Sequence, residues 1–260
     1  PSASTSSTPP GSYLAQGAES NGLTPGRGEG AISADDLKVE RTRSYEFGTK
    51  WSLFNEGLAL SAALFQTETR NARALAENNQ VAYIGARRIR GLELGFNGNI
   101  SRQWSLFGGY TYMDARITDG GLTTTIIGGV PHFGPSVNTG KPFPNTPKHS
   151  FTAFSQYELL PAFTIGGGAT YMSKVYGGFQ EVGARTVSND QLLLPPTLAR
   201  TVPGYWRFDA NASFRLNDAV SLRANIQNLT DKLYYDKAYT AHYATQAPGR
   251  TAILSLDLRY

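Results

Sequence analysis

Segment after segment of this chain alternates apolar and polar residues with a period of two. In TAILSLDLRY, at the end of the sequence, Ala252, Leu254, Leu256, Leu258 and Tyr260 share one parity, and only Ile253 interrupts the other. Successive side chains of a strand point to opposite faces, so such a segment is a strand with one apolar and one wet face. YEFGTKWSL sets Tyr45, Phe47, Thr49, Trp51 and Leu53 against Glu46, Gly48, Lys50 and Ser52. RGLELGFNGNI sets Leu92, Leu94, Phe96 and Ile100 against Glu93, Gly95, Asn97 and Asn99. YWRFDANASFRL opposes Phe208, Ala210, Ala212, Phe214 and Leu216 to Asp209, Asn211, Ser213 and Arg215. With their partners, and with a further hairpin joining HSFTAFSQYEL to FTIGGGATYM, these segments make four hairpins and a terminal strand, about nine strands in all.

A strand of a soluble sandwich alternates in the same way, so parity alone does not choose the environment. The connections narrow it. Turns inside the hairpins are short, at Asn55–Gly57, Ser101–Gln103, Leu159–Ala162 and Asn217–Ala219. Connections between hairpins are long, at Arg70–Arg88, Asp114–Lys148, Ser173–Val202 and Leu229–Gly249. Because short and long alternate without exception, every long connection leaves the same edge of the sheet. Several long irregular loops count against a compact soluble domain. They are expected of outer-membrane barrels, which pair short turns on one side with long loops on the other and carry aromatic girdles. Trp51, Trp104, Tyr110, Tyr112, Tyr171, Tyr205 and Trp206 lie near strand ends, where girdles fall. The composition agrees, with 17% charged residues, 12% aromatics and 28 glycines. Soluble domains carry about 25% charged residues. No run approaches the roughly 18 apolar residues of a membrane helix, so spanning falls to strands.

Other chemistries find little footing. The chain has no cysteine for a disulfide or thiolate site. Its histidines, His132, His149 and His242, lack metal-ligand spacing. GPSVNTGKP has the wrong glycine spacing for a phosphate loop, and Pro142 where Ser or Thr is needed. The net charge of +4 is dispersed rather than gathered into a nucleic-acid patch. No catalytic constellation, resident cofactor or nucleic-acid partner is expected. PSASTSSTPPGSYLAQ has neither the charged start nor the apolar core of a signal peptide. Either the mature chain begins here or the sequence is a piece of something longer.

DLKVERTRSYEFGTKW, RGLELGFNGNIS, VPGYWRFDANASFRL, NIQNLTDKLYYDKAY and PGRTAILSLDLRY, in that order, resemble the carboxy-terminal barrel motifs of TonB-dependent siderophore receptors. The resemblance covers about Asp36 to Tyr260, and the loop lengths look most like the catecholate-type branch. It implies an all-β, antiparallel transmembrane β-barrel, represented by about nine carboxy-terminal strands of a barrel of about 22 with a plugged lumen. No plug-like region or TonB box is present in the sequence. Residues 1–40 are then an extracellular loop or lead-in segment, the chain starting inside a loop or in the strand before it, and residues 41–260 are barrel.

The same resemblance implies binding and import of a ferric siderophore, with iron carried inside the complex. The TonB energy-transducing complex would act through the plug, and outer-membrane lipid and the barrel-assembly machinery would be further partners. The long loops would be extracellular and the carboxy-terminus periplasmic. Long loops can offer cations for charge and aromatics for stacking. The candidates are Arg87 and Arg88 in the first connection, His132, Phe133 and Lys141 in the second, Tyr176, Phe179 and Arg185 in the third, and Tyr235, His242 and Tyr243 in the fourth. Glu93, Asn97, Asp209, Asn211, Arg215, Arg223, Asn225 and Gln227 are expected to form the lumen wall that holds a plug. The alternative is a passive outer-membrane pore or structural barrel whose wall merely hydrates a channel.

Overall fold

A computed structural model of the chain describes residues 1–8, 39–75, 81–83, 85–127, 130–136, 138–178, 185–187, 201–239 and 243–259. Ten strands form one antiparallel sheet. They are β1 (Ser2–Thr8), β2 (Glu40–Leu53), β3 (Leu58–Arg70), β4 (Ala86–Asn99), β5 (Trp104–Asp119), β6 (His149–Leu160), β7 (Phe163–Met172), β8 (Tyr205–Arg215), β9 (Val220–Gln227) and β10 (Thr251–Leu258). Their order in the sheet is their order in the chain, so every strand pairs with its sequence neighbours. Among the described residues the outer edges of β1 and β10 have no partner. No helix there is long and apolar enough to cross a membrane.

The expected count of about nine strands becomes ten, and β1 is the addition. Its sequence, SASTSST, consists of small and hydroxyl residues without apolar alternation, so its parity carries no signal. It pairs with β2 from Ser2 opposite Glu46 to Thr8 opposite Glu40. Ser2–Thr8 is therefore strand rather than loop.

Three of the four short turns have a visible local cause. Phe54, Asn55 and Glu56 all adopt left-handed φ, and the Gly57 amide donates to the Phe54 carbonyl at 3.0 Å. Asn217 Oδ1 accepts the amides of Ala219 and Val220, both at 2.9 Å, which closes the β8–β9 turn. Ser101 Oγ accepts the Gln103 amide at 3.2 Å in the β4–β5 turn.

The register sorts side chains into two faces across the sheet. On one face a continuous row runs Phe47, Leu64, Leu92, Tyr112, His149. Another runs Tyr157, Ile165, Ala212, Ala224, Leu254. This apolar face is open: Leu254 is 70% exposed, Phe47 64% and Leu256 59%. No second sheet of the described residues packs against it. Apolar surface on this scale is foreign to a water-soluble domain. The soluble sandwich reading fails here for want of a second layer.

Aromatic residues cluster at both ends of the apolar face. Tyr110, Tyr112, Tyr171 and Trp206 stand towards the long connections, and Trp51, Trp104, Tyr157, Phe163 and Phe214 towards the short turns. Tyr171 and Phe163 are separated along β7 by about 27 Å at about 3.4 Å per residue. Once strand tilt is allowed for, that separation suits the ~25 Å apolar band of a membrane barrel. Tyr205 is the exception to the expected girdle. It pairs with Met172 on the opposite face, donates its hydroxyl to Met172 Sδ at 3.4 Å and packs against Tyr234, with the rings tilted by 33° and their centroids 4.2 Å apart.

Candidate functional site

The second face is polar, and it collects all eight residues expected to line the lumen. Glu93 and Asn97 stand on β4, Asp209, Asn211 and Arg215 on β8, and Arg223, Asn225 and Gln227 on β9. The register carries one face from Glu93 through Thr111, Ser150, Met172 and Tyr205 on β8. Asn211 opposes Asn225, Ser213 opposes Arg223, and Gln227 opposes Thr251.

Towards the short turns this face hollows into a cleft of about 560 Å³, lined by Glu158, Asn211, Arg215, Arg223 and Asn225 among others. Arg223 holds Asp257 at 3.0 Å, and Arg215 donates to the Pro161 carbonyl at 2.8 Å. Glu93 and Asn97, several strands away, are exposed and lie outside this cleft. The face is not purely polar. Phe107 and Phe154 pair across β5 and β6 on it, with ring centroids 5.4 Å apart. Phe65 lies on the same face beside Gly91. Sequence parity missed these three because Gly108 and Gly109 follow Phe107, while Phe65 and Phe154 lie in segments, LALSAALFQ and HSFTAFSQ, that carry apolar residues on both parities.

At the loop end of the polar face, three residues the sequence reading did not name, Arg207, Asn228 and Lys232, make a node with Asp209. Arg207 donates to Asp209 Oδ2 from two nitrogens, at 2.8 and 3.2 Å. Asp209 Oδ1 accepts the Asn228 amide at 2.9 Å. Asn228 is buried with left-handed φ, donates to the Lys232 carbonyl at 3.0 Å, and accepts the Lys232 amide at 2.9 Å. One turn further, Asp231 accepts the Arg250 amide at 2.8 Å and so ties the fourth long connection back to the start of β10. The Asn-Leu-Thr-Asp stretch is thus a loop anchor, legible beforehand only as part of a family motif.

The candidate ligand residues separate into groups. Arg87 lies on the polar face, 3.5 Å from Glu40, with its guanidinium 5.4 Å from the centre of the Phe143 ring. Arg88 follows on the apolar face, opposite Glu68 and Arg116, so the two neighbours cannot converge on one ligand. Lys141 is exposed, and its backbone carbonyl accepts the Ile117 amide at 3.0 Å, which extends β5. Tyr176 pairs with Thr201 and borders a cleft of about 870 Å³. Tyr235 pairs with Gln246 in a hairpin of Tyr235–Tyr239 and Tyr243–Gln246.

His132 and Phe133 belong to the strand Val130–Pro135, and Arg185 to Arg185–Val187. Both strands flank Leu122–Ile127, so that Thr125 pairs with His132 on one side and Arg185 on the other. The second and third long connections therefore share one small sheet. Phe179 and His242 lie outside the described residues. Among the described residues no group of three or more His, Asp or Glu is placed to hold a metal ion.

An up-and-down sheet with long strands, one face apolar between two aromatic belts and the other polar, with every long loop at one end, defines a segment of an outer-membrane receptor barrel. The family model for the TonB-dependent receptor-like β-barrel matches residues 2–229, and the chain belongs to that family. Over 92% of its length the chain is 37% identical to the protein named "Probable TonB-dependent siderophore receptor PiuA" of Acinetobacter baumannii, covering 30% of that protein. It is 29% identical to the catecholate siderophore receptor Fiu of Escherichia coli over 86% of the chain and 26% of that protein. The crystal structure of the A. baumannii siderophore receptor PiuA superposes with a TM-score of 0.72 at 35% identity, over 99% of this chain and 33% of the other. The closed form of the E. coli ferric-catecholate import receptor Fiu superposes at 0.69 and 26% identity, over 99% and 32%. The chain thus spans less than a third of the length of these two curated relatives, both of which are named siderophore receptors.

Proposed function

We propose that the chain is the carboxy-terminal barrel portion of an outer-membrane importer of ferric siderophore complexes, of the catecholate type. The observation that carries this reading is the 37% identity to a siderophore receptor, sustained across 92% of the chain. The apolar face meets lipid, and the polar face meets an amino-terminal plug contributed by the longer protein. The plug couples to TonB, the barrel-assembly machinery inserts the strands, the long connections lie outside the cell and the carboxy-terminus lies in the periplasm. Residues 41–260 are barrel wall and loops. The iron is cargo inside the siderophore, and the chain's part is binding and passage rather than bond-making.

The loop residues divide the work. Lys141, Tyr176 and Tyr235, with His132, Phe133 and Arg185 on their shared sheet and Phe179, His242 and Tyr243 beyond, supply charge and stacking surface to an anionic aromatic complex. Arg87, tethered to Glu40 and Phe143, shapes the loop base. Glu93, Asn97, Asp209, Asn211, Arg215, Arg223, Asn225 and Gln227 hydrogen-bond the plug, and Phe107 and Phe154 give it an apolar foothold.

The test is uptake of radiolabelled iron by siderophore-deficient cells expressing the full-length protein, with and without TonB. Uptake of a ferric catecholate that vanishes without TonB is expected. Uptake indifferent to TonB, together with steady single-channel conductance of the purified protein, would replace this reading with a passive pore.

A further inference from the structure

We propose that Phe107 and Phe154 form a stacking station for the aromatic rings of a ferric catecholate in transit through the lumen. From there the cargo passes along the β6–β9 wall into the arginine-lined cleft at the short-turn end. The proposal rests on the import reading above and adds the path that the cargo takes.

Two adjacent phenylalanines are out of keeping with their row. Phe107 stands between Asn97 and Phe154, and Phe154 between Phe107 and Gly168, beyond which comes Asp209. Phe107 is 51% exposed. A polar side chain at either position would match its neighbours and hydrate the wall equally well. On the polar face of β2–β4 no two aromatic residues stand side by side, since Phe65 there has Glu46 and Gly91 as its cross-strand neighbours.

Glycines set the pose of the pair. A Cβ at Gly166 would come within 3.1 Å of Phe154 Cζ, and one at Gly168 within 3.3 Å of Phe154 Cδ2. The Phe154 ring therefore lies back across the bare backbone of β7 instead of standing into the lumen. Phe107 lies beside it, with the planes 32° apart and the centroids 5.4 Å apart. A side chain that only wedged a plug in place would gain by projecting. Rings held back against the wall leave the lumen clear and offer a surface on which a further ring can make tilted or offset contact.

The wall continues in the chemistry that an aromatic anion needs next. Gln156, two residues beyond Phe154 on the same face, lines the cleft of about 560 Å³ together with Asn211, Asn225, Arg215 and Arg223. Asn211 leans over Gly166, where an added Cβ would come 2.5 Å from its Oδ1, so an amide floors the step from ring to cleft. Arg215 holds the Pro161 carbonyl and Arg223 holds Asp257, which orients both guanidinium groups and leaves each with further donors for an anion. At rest the rings and the cleft meet the plug. Once the plug yields to TonB, the same surfaces face the cargo, rings first and charge second.

The experiment follows radiolabelled ferric catecholate in siderophore-deficient cells expressing the full-length receptor. Surface binding is read in energy-depleted cells and import in energised ones. Folding is checked by heat-modifiable migration, and plug seating by single-channel conductance of the purified receptor. F107L/F154L keeps an apolar contact for the plug but loses the stacking surface. It should bind the complex as wild type does and import it about fivefold more slowly, the size of the advantage that an aromatic pair holds over plain apolar contact. F107Y/F154Y should restore the rate, and F65L, away from the path, should leave it unchanged. Slowed import accompanied by steady conductance would make the pair a plug foothold only and overturns the proposal, as does an equal loss in F65L. A wild-type receptor that imports no ferric catecholate removes the import reading and the path together, whereas TonB-dependent import undiminished in F107L/F154L removes the path alone.

Discussion

Asp209 grips two parts of the chain at once, since one carboxylate oxygen holds Arg207 at 2.8 Å and the other takes the amide of Asn228 at 2.9 Å. Through Asn228 this single carboxylate fixes the angle at which the fourth long connection leaves the wall. Asn228→Ala removes both side-chain bonds to Lys232 and places alanine at φ +52°. Leaving a buried donor and acceptor unmatched costs about 1–3 kcal/mol per group. The expected outcome is faster proteolytic cutting within 229–234 of the full-length receptor and weaker siderophore binding, in a barrel that still assembles. Asn228→Gly, which relieves the φ strain but not the lost bonds, should recover only a small part.

Gly98 offers a separate test of the β3–β4 pairing. Its φ is +146°, and a Cβ there would run into the backbone of Gly57 and Leu58. The obstacle is backbone rather than a side chain that can swing away, so even Gly98→Ala strains the pair. Expected is a drop in the yield of heat-modifiable barrel, with misassembled protein sent to degradation. Gly140 also has positive φ, at +80°, but has no heavy atom within 4 Å of the added position, so Gly140→Ala should cost only the backbone strain, about 1–2 kcal/mol, with no clash added to it.

Much of this architecture was legible because a membrane barrel writes its environment into a period of two. Leu92, Leu94 and Phe96 against Glu93, Gly95 and Asn97 define both faces of β4 without any tertiary knowledge, and all eight expected wall residues share the polar face. Where both parities carry similar chemistry, the code goes silent. Ser2–Thr8 has hydroxyls on both sides and reads as loop, and Phe107 sits on the polar face beside Gly108 and Gly109, which offer no contrast. Arg87 and Arg88 read as a pair in sequence, yet adjacent strand residues point apart. The pairing of Thr125 with both His132 and Arg185 joins two distant connections, and no local pattern encodes such a contact.

The assignment of faces can be tested with one charge moved by one residue. Ala212 lies on the apolar face between Ile165 and Ala224, and Ser213 lies on the polar face between Thr164 and Arg223. An arginine on the lipid face near the bilayer midplane costs about 2–4 kcal/mol. Ala212→Arg should sharply reduce outer-membrane assembly, whereas Ser213→Arg, which meets Arg223 across the strand pair, should cost only about 0.2–1 kcal/mol and assemble much closer to wild-type level. Equal assembly of the two would sink the lipid reading of the apolar face.

The last strand bears on closure. β10 pairs along its whole length with β9, from Thr251 opposite Gln227 to Leu258 opposite Val220, and puts Ala252, Leu254, Leu256 and Leu258 on the apolar face. An open edge presents unpaired N–H and C=O groups, which lipid cannot satisfy. Deleting Arg250–Tyr260 from the full-length receptor strips β9 of its partner and removes four apolar side chains from the membrane face. It also removes the Arg250 amide that Asp231 holds, so the fourth connection loses its second anchor. No heat-modifiable barrel is expected in outer membranes after this deletion. Replacing Leu254, Leu256 and Leu258 by alanine separates the two causes, because the ladder survives while the lipid contact shrinks. That triple variant should assemble at reduced yield, and its shortfall measures how much of the failure belongs to lost apolar contact rather than to the unpaired edge.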